Sequence, residues 1–143
     1  MLKISFLEQN DELVKLAEKI AHELNGYVVP DYEKEYREMV NRELTALDYY
    51  RIAKGILNKE LEYEHTSKKF LLSVNNPFLV YQKSLKNTGQ THPKFEEVLN
   101  RCNYDYLLTE NPLKEPLKQL QIKNIKELNY SKLQNFIKEK IEQ

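Results

Sequence analysis

The chain has 143 residues, enough for one domain with a real core. Its 22 basic and 22 acidic side chains balance, which argues against a generic nucleic-acid binder, a class that carries a basic excess. No apolar run approaches the roughly 18 residues of a membrane span, and the single cysteine excludes an internal disulfide or a C-x-x-C site for zinc or redox chemistry.

In chain order, LKISFL (2–7) is a short apolar run that stops at a polar cluster, as a buried strand does. From Asp11 the period changes: Leu13, Leu16, Ala17, Ile20, Ala21 and Leu24 share one helical face, with Asn10 or Asp11 as N-cap. Asn25-Gly26 ends this helix, glycine being expected to take the left-handed C-cap conformation. YVVP (27–30) is a second strand, and a charged helix follows over 32–42. A longer helix spans about 45–65 with Leu47, Tyr50, Ile52, Ala53, Ile56, Leu57 and Leu61 as its apolar positions. KFLLSV (69–74) is a third strand, and Pro77 suits the first turn of a helix running to about Leu85.

Residues 86–93 read as a loop, and Pro93 opens a helix ending near Cys102. YDYLLT (104–109) is a fourth strand, 110–116 is irregular around two prolines, and 119–125 is a short fifth strand. The last helix covers 130–141, with Leu133, Phe136, Ile137 and Ile141 inward. Near-continuously apolar strands alternating with helices predict a mainly parallel sheet of four to five strands covered on both faces, a three-layer α/β/α sandwich.

With the segments in this order, YVVPDYEKEY (27–36), LDYYRIAKG (47–55), FLLSVNNP (70–77) and YDYLLTENP (104–112) resemble the P-loop kinase domain of the NadR type, the nicotinamide riboside kinase-like group of P-loop NTPases. The most telling piece is Pro30-Asp31-Tyr32-x-x-Glu35-Tyr36, similar to the family's Pro-Glu-Tyr-Ala-Arg-Glu-Tyr. The resemblance spans nearly the whole chain and implies a single P-loop kinase-like domain over 1–143.

It also implies three sites whose chemistry is missing. The family's phosphate loop is Gly-x-x-x-x-Gly-Lys-Ser/Thr, in which backbone N–H groups surround phosphate, the lysine neutralises it and the hydroxyl holds Mg²⁺. Ungapped, its second glycine falls on Glu12, its lysine on Leu13 and its hydroxyl on Val14, while Glu8 and Asp11 add negative charge. The acidic pair expected on the third strand falls on Val74 and Asn76. After the fourth strand, Lys114 and Lys118 stand where the family carries an arginine-bearing lid. Phosphoryl transfer depends on positioning and on neutralising phosphate charge, so the reading is a non-catalytic, pseudokinase-like domain with no bound ATP or other cofactor.

By the same resemblance Asp31 would lie beside a nucleoside ribose. Asp31, Tyr32 and Glu35 are therefore the candidate ligand-binding residues, the alternative for Asp31 being an N-cap for the helix from Tyr32. Glu35, four residues on, could complete a two-carboxylate site. His22, His65 and His92 lack ligand spacing, so no metal is expected, and Cys102 reads as a buried structural thiol. The tyrosines at 27, 32, 36, 49, 50 and 63 are either packing or a partner-binding face. A cytoplasmic domain acting through a protein partner, a second copy of itself or a regulatory contact is the leading expectation. Recognition of a nucleoside or nicotinamide-type molecule, or residual kinase activity through Asp31, is the alternative.

Overall fold

A computed structural model describes residues 1–143. Five strands, β1 (Leu2–Phe6), β2 (Tyr27–Val29), β3 (Phe70–Ser73), β4 (Tyr106–Thr109) and β5 (Ile125–Glu127), form one sheet in the order β2-β3-β1-β4-β5. Every pairing is parallel. The helices are α1 (Asp11–Leu24), α2 (Tyr32–Val40), α3 (Ala46–Tyr63), α4 (Pro77–Thr88), α5 (Phe95–Asn100) and α6 (Leu133–Ile141).

The three layers follow from strand alternation. Ile4, Phe6, Phe70, Leu72 and Leu108 pack against α1 and α6 through Leu13, Ala17, Ile20, Leu133 and Ile137. On the other face Ile52, Ala53 and Ile56 of α3 meet Val80, Phe95, Val98 and Leu107. Between these positions β1 is polar rather than apolar. Lys3 and Ser5 are buried, and Lys3 Nζ lies 2.9 Å from Glu64 and 3.4 Å from Glu60, a residue of α3 with no exposed surface. Ser73 and Tyr104 hydroxyls both donate to Glu60 Oε2. Burial pushes the Glu60 carboxyl up, and the nearby Lys3 opposes that rise.

Several boundaries differ from expectation for identifiable reasons. Asn25, not Gly26, takes the left-handed cap at φ 61°. Gly26 is required instead by close approach, since a Cβ there would stand 2.3 Å from the buried Phe70 ring. Leu47 and Leu61 are exposed because the inward stripe of α3 is Tyr49, Ile52, Ala53, Ile56, Leu57 and Glu60. Helix α4 continues to Thr88 and is closed by Gly89 at φ 72°, so 86–88 are not loop. Helix α5 starts at Phe95, two residues beyond Pro93.

The fifth strand is not at 119–125 but at Ile125–Glu127. Leu117, Leu120 and Ile122 fold onto the α3 face of the core, and Asn124 at φ 65° turns the chain into the sheet only afterwards. The last helix is preceded by a single 3-10 turn, Tyr130–Lys132. No helix is long and apolar enough to cross a membrane.

Candidate functional site

In an open parallel sheet, ligands sit beyond the carboxyl ends of the strands, where successive connections diverge. Here the chain leaves β1 towards β2 and leaves β3 towards β4, in opposite directions from neighbouring strands. The β1–α1 loop, the β2–α2 junction and the β3–α4 junction therefore meet at one edge.

Only residues 7–10 separate β1 from α1, and each is held by protein. Leu7 N donates to Leu108 O at 2.9 Å, prolonging the sheet contact. Glu8 turns towards β4: its Oε1 accepts from Thr109 Oγ1 at 2.7 Å, Glu110 N at 2.7 Å and Asn111 N at 3.1 Å. Gln9 turns the other way, and its Oε1 accepts from Lys83 Nζ at 2.7 Å. Asn10 is the N-cap of α1, accepting from Leu13 N at 2.8 Å. Asp11 and Glu12 are exposed in the first helical turn, where the dipole favours negative charge. Leu13 is buried in the core and Val14 packs against it. Phosphate would need free converging N–H groups at this turn, and the turn has no glycine to shape them.

At the end of β2, Asp31 caps α2, accepting from Glu33 N at 3.1 Å. The same Oδ1 accepts from Asn75 Nδ2 at 3.1 Å. Glu35 does not join it: Glu35 faces solvent, 3.8 Å from Lys59. The carboxylate that turns inward is Glu33, which shares its helix face with buried Tyr36. Glu35 is two positions on, about 200° round the helix. Tyr32 is half-buried against α3, where a Cβ on Gly55 would stand 2.0 Å from its ring.

Glu33 is the hub of this edge. Its Oε1 accepts from Lys83 Nζ at 2.9 Å and Asn75 Nδ2 at 3.1 Å, and its Oε2 from Arg37 Nε at 3.0 Å. Burial alone would raise its carboxyl, but Lys83, Asn75 and Arg37 together hold it below the ordinary glutamate value. Arg37 also donates to Tyr49 OH, which accepts a further hydrogen bond from Asn87 Nδ2. Glu33 thus pairs with both Lys83 and Arg37, and Asp31 joins it through the shared Asn75 Nδ2. A carboxylate kept ionised by two cations is poor as either general acid or general base.

Val74 and Asn76 are structural. Val74 is buried with the α1 and α6 core. Asn76 has no exposed surface: its Oδ1 caps α4 through Leu79 N at 3.1 Å, and its Nδ2 donates to Phe6 O at 2.6 Å and Ser5 Oγ at 2.9 Å. Lys114 and Lys118 lie in the irregular β4–β5 connection and are exposed.

Sequence reasoning missed Glu33, Asn75 and Lys83. The face shared with Tyr36 and the i, i+4 spacing to Arg37 marked Glu33, whereas Lys83 lies fifty residues away and carried no local signal. No group of three or more His, Cys, Asp or Glu residues is placed to hold a metal ion. Cys102 is half-buried, and its surroundings push the thiol up, chiefly by burial. The tyrosines form separate packing pairs, Tyr27 with Tyr63 at 4.5 Å and Tyr32 with Tyr36 at 6.2 Å, while Tyr50 stacks on His92 at 4.1 Å.

No family model and no curated protein matches the sequence. Solved structures do. A crystal structure of NadR protein in complex with NAD and AMP-PNP superposes at a TM-score of 0.75 with 14% identity, covering 99% of this chain and 50% of that one. Another, of NadR protein in complex with NR, gives 0.66 and 14%, covering 86% of this chain and 37% of that one. The chain therefore spans half or less of the length of these proteins. At this identity the likeness is one of architecture, and the chain has a NadR-like P-loop NTPase fold.

Proposed function

We propose that this chain is a P-loop-fold domain that does not transfer phosphate and that acts through protein contact, as a regulatory or interaction module. The observation that carries the reading is that the edge where a nucleotide would lie is occupied by the protein's own groups. Glu8 takes the backbone N–H groups of Glu110 and Asn111, Asn10 caps α1, and Lys83 is bound to Gln9 and Glu33. A triphosphate would have to displace these contacts and approach Glu8, Asp11 and Glu12. Each acidic side chain at roughly 6 Å costs on the order of 1 kcal/mol per unit charge at an effective dielectric near 40.

The competing reading, a nucleoside held by Asp31, Tyr32 and Glu35, draws less support. Asp31 is engaged as a cap, Tyr32 packs on Gly55, and Glu35 points to solvent. Calorimetry with Mg²⁺-ATP, together with a phosphorylation assay on nicotinamide riboside, decides the matter. The proposal expects no Mg²⁺-dependent heat of nucleotide binding and no product; Mg²⁺-dependent phosphorylation would overturn it. Sedimentation of the purified chain then separates self-association from a need for another protein.

A further inference from the structure

A cavity of about 700 Å³ lies away from that edge. It opens beside α5, against the residues that lead into β4 and β5, and its size is that of a small-molecule site. Five amide side chains line it: Asn100, Asn103, Gln119, Gln121 and Asn124. Apolar surface comes from Phe78, Leu99, Leu107 and Leu120. Its charged groups are Glu96, Asp105 and Lys123, and Asp105 is already committed, accepting from Lys3 N at 2.7 Å. One lysine against two carboxylates does not suit a phosphorylated ligand.

Two of the amides have their orientation fixed by their partners. Lys3 Nζ can only donate, so the Asn103 atom 2.6 Å from it is Oδ1, and Nδ2 is left as a donor without a protein partner. Lys3 is itself held by Glu64 and Glu60 in the buried network, so this arrangement is anchored in the core. The Tyr104 carbonyl can only accept, so Asn124 presents Nδ2 to it at 2.9 Å and leaves Oδ1 as a free acceptor. The cavity therefore carries a fixed donor and a fixed acceptor among further neutral amides. A planar molecule that offers an acceptor to one amide and a donor to the other, as every nucleobase can, pairs with such groups.

We propose that this cavity binds a neutral, phosphate-free heterocycle of nucleobase or nucleoside size, read by Asn103 and Asn124. The proposal is independent of whether the chain transfers phosphate, because the two sites lie at different ends of the strands.

The test is a ¹H–¹⁵N NMR titration of the full chain with adenosine, cytidine and uridine, each compared with its 5′-monophosphate. At least one nucleoside is expected to move the side-chain amide signals of Asn103 and Asn124, and its monophosphate is expected to bind several-fold more weakly. Asn103→Asp keeps an oxygen for Lys3 but turns the donor into an acceptor, so affinity should fall about tenfold with the thermal midpoint retained. Gln121→Ala, at an exposed position whose side chain makes no hydrogen bond within the protein, is a second variant expected to weaken binding should Asn103→Asp fail to fold. The proposal is overturned if no nucleoside moves these signals up to its solubility limit, or if the monophosphate binds as tightly. It is equally overturned if a folded variant of either kind retains full affinity.

Discussion

Asn76 stands where the resemblance to P-loop kinases implied an acidic residue, and the structure gives it a different task that can be measured. Its side chain is wholly buried and makes three hydrogen bonds, to Leu79 N, Phe6 O and Ser5 Oγ. Asn76→Ala removes the α4 cap, worth about 1 kcal/mol. It also leaves the Phe6 carbonyl and Ser5 hydroxyl short of a buried donor, worth about 1–3 kcal/mol. A loss of about 3 kcal/mol is expected by urea denaturation at neutral pH.

Asn76→Asp restores a carboxylate of the same shape and is the sharper variant. One oxygen can still cap α4, but the other faces the Phe6 carbonyl, so the ionised form is repelled as well as desolvated. Its cost at neutral pH should equal or exceed that of alanine. A buried carboxyl of this kind has a folded pKa raised above its unfolded value. The variant's deficit is therefore smallest below about pH 4 and grows as pH rises through the folded value. Denaturation midpoints for wild type and variant at the two pH values give the difference directly. An aspartate variant as stable as wild type at neutral pH, or an alanine loss below about 1 kcal/mol, would refute the argument that this position belongs to the scaffold.

Lys83→Met strips the ammonium from Glu33 and should cost about 2 kcal/mol; the figure stays below the roughly 3–5 kcal/mol of a fully buried pair, because the Lys83 side chain is 31% exposed. In the wild type, Glu33 is held below its ordinary value, so its contribution is present above about pH 4.3 and is lost as pH falls. That acid-side loss should shrink in Lys83→Met, and Glu33→Gln added to it should recover part of the stability at neutral pH. Gly26→Ala drives a Cβ to 2.3 Å from the buried Phe70 ring and should lower stability by about 2 kcal/mol, read as a lower denaturation midpoint. Glu8→Ala releases the N–H groups of Glu110 and Asn111. Their hydrogen exchange should quicken about tenfold while α3 amides stay protected.

Sequence by itself determined the features whose cause is local. Apolar runs of strand length alternating with helix-period segments dictate a parallel, two-sided sheet, because strands buried on both faces need helices on each. The caps Asn10 and Asp31 were readable as candidates, since a cap bonds backbone only two or three residues away. That the β1–α1 turn, residues 7–10, holds neither glycine nor lysine was legible too, being a matter of composition alone.

Only the tertiary structure decided which polar groups meet. Periodicity marks a helix face through its apolar residues, and α2 has few, so Glu35 could be preferred to Glu33 until packing on α3 set the rotation of α2. The buried pairing of Lys3 with Glu60 was hidden because a strand's apolar character says nothing of a polar seam on one of its faces. Residues 119–122 matched a strand in composition, yet burying Leu120 and Ile122 against the core outweighed ladder pairing there. Lys83 with Glu33, and Asn103 with Lys3, join residues 50 and 100 positions apart. Such contacts are selected by the geometry of the assembled layers, and no local pattern encodes them.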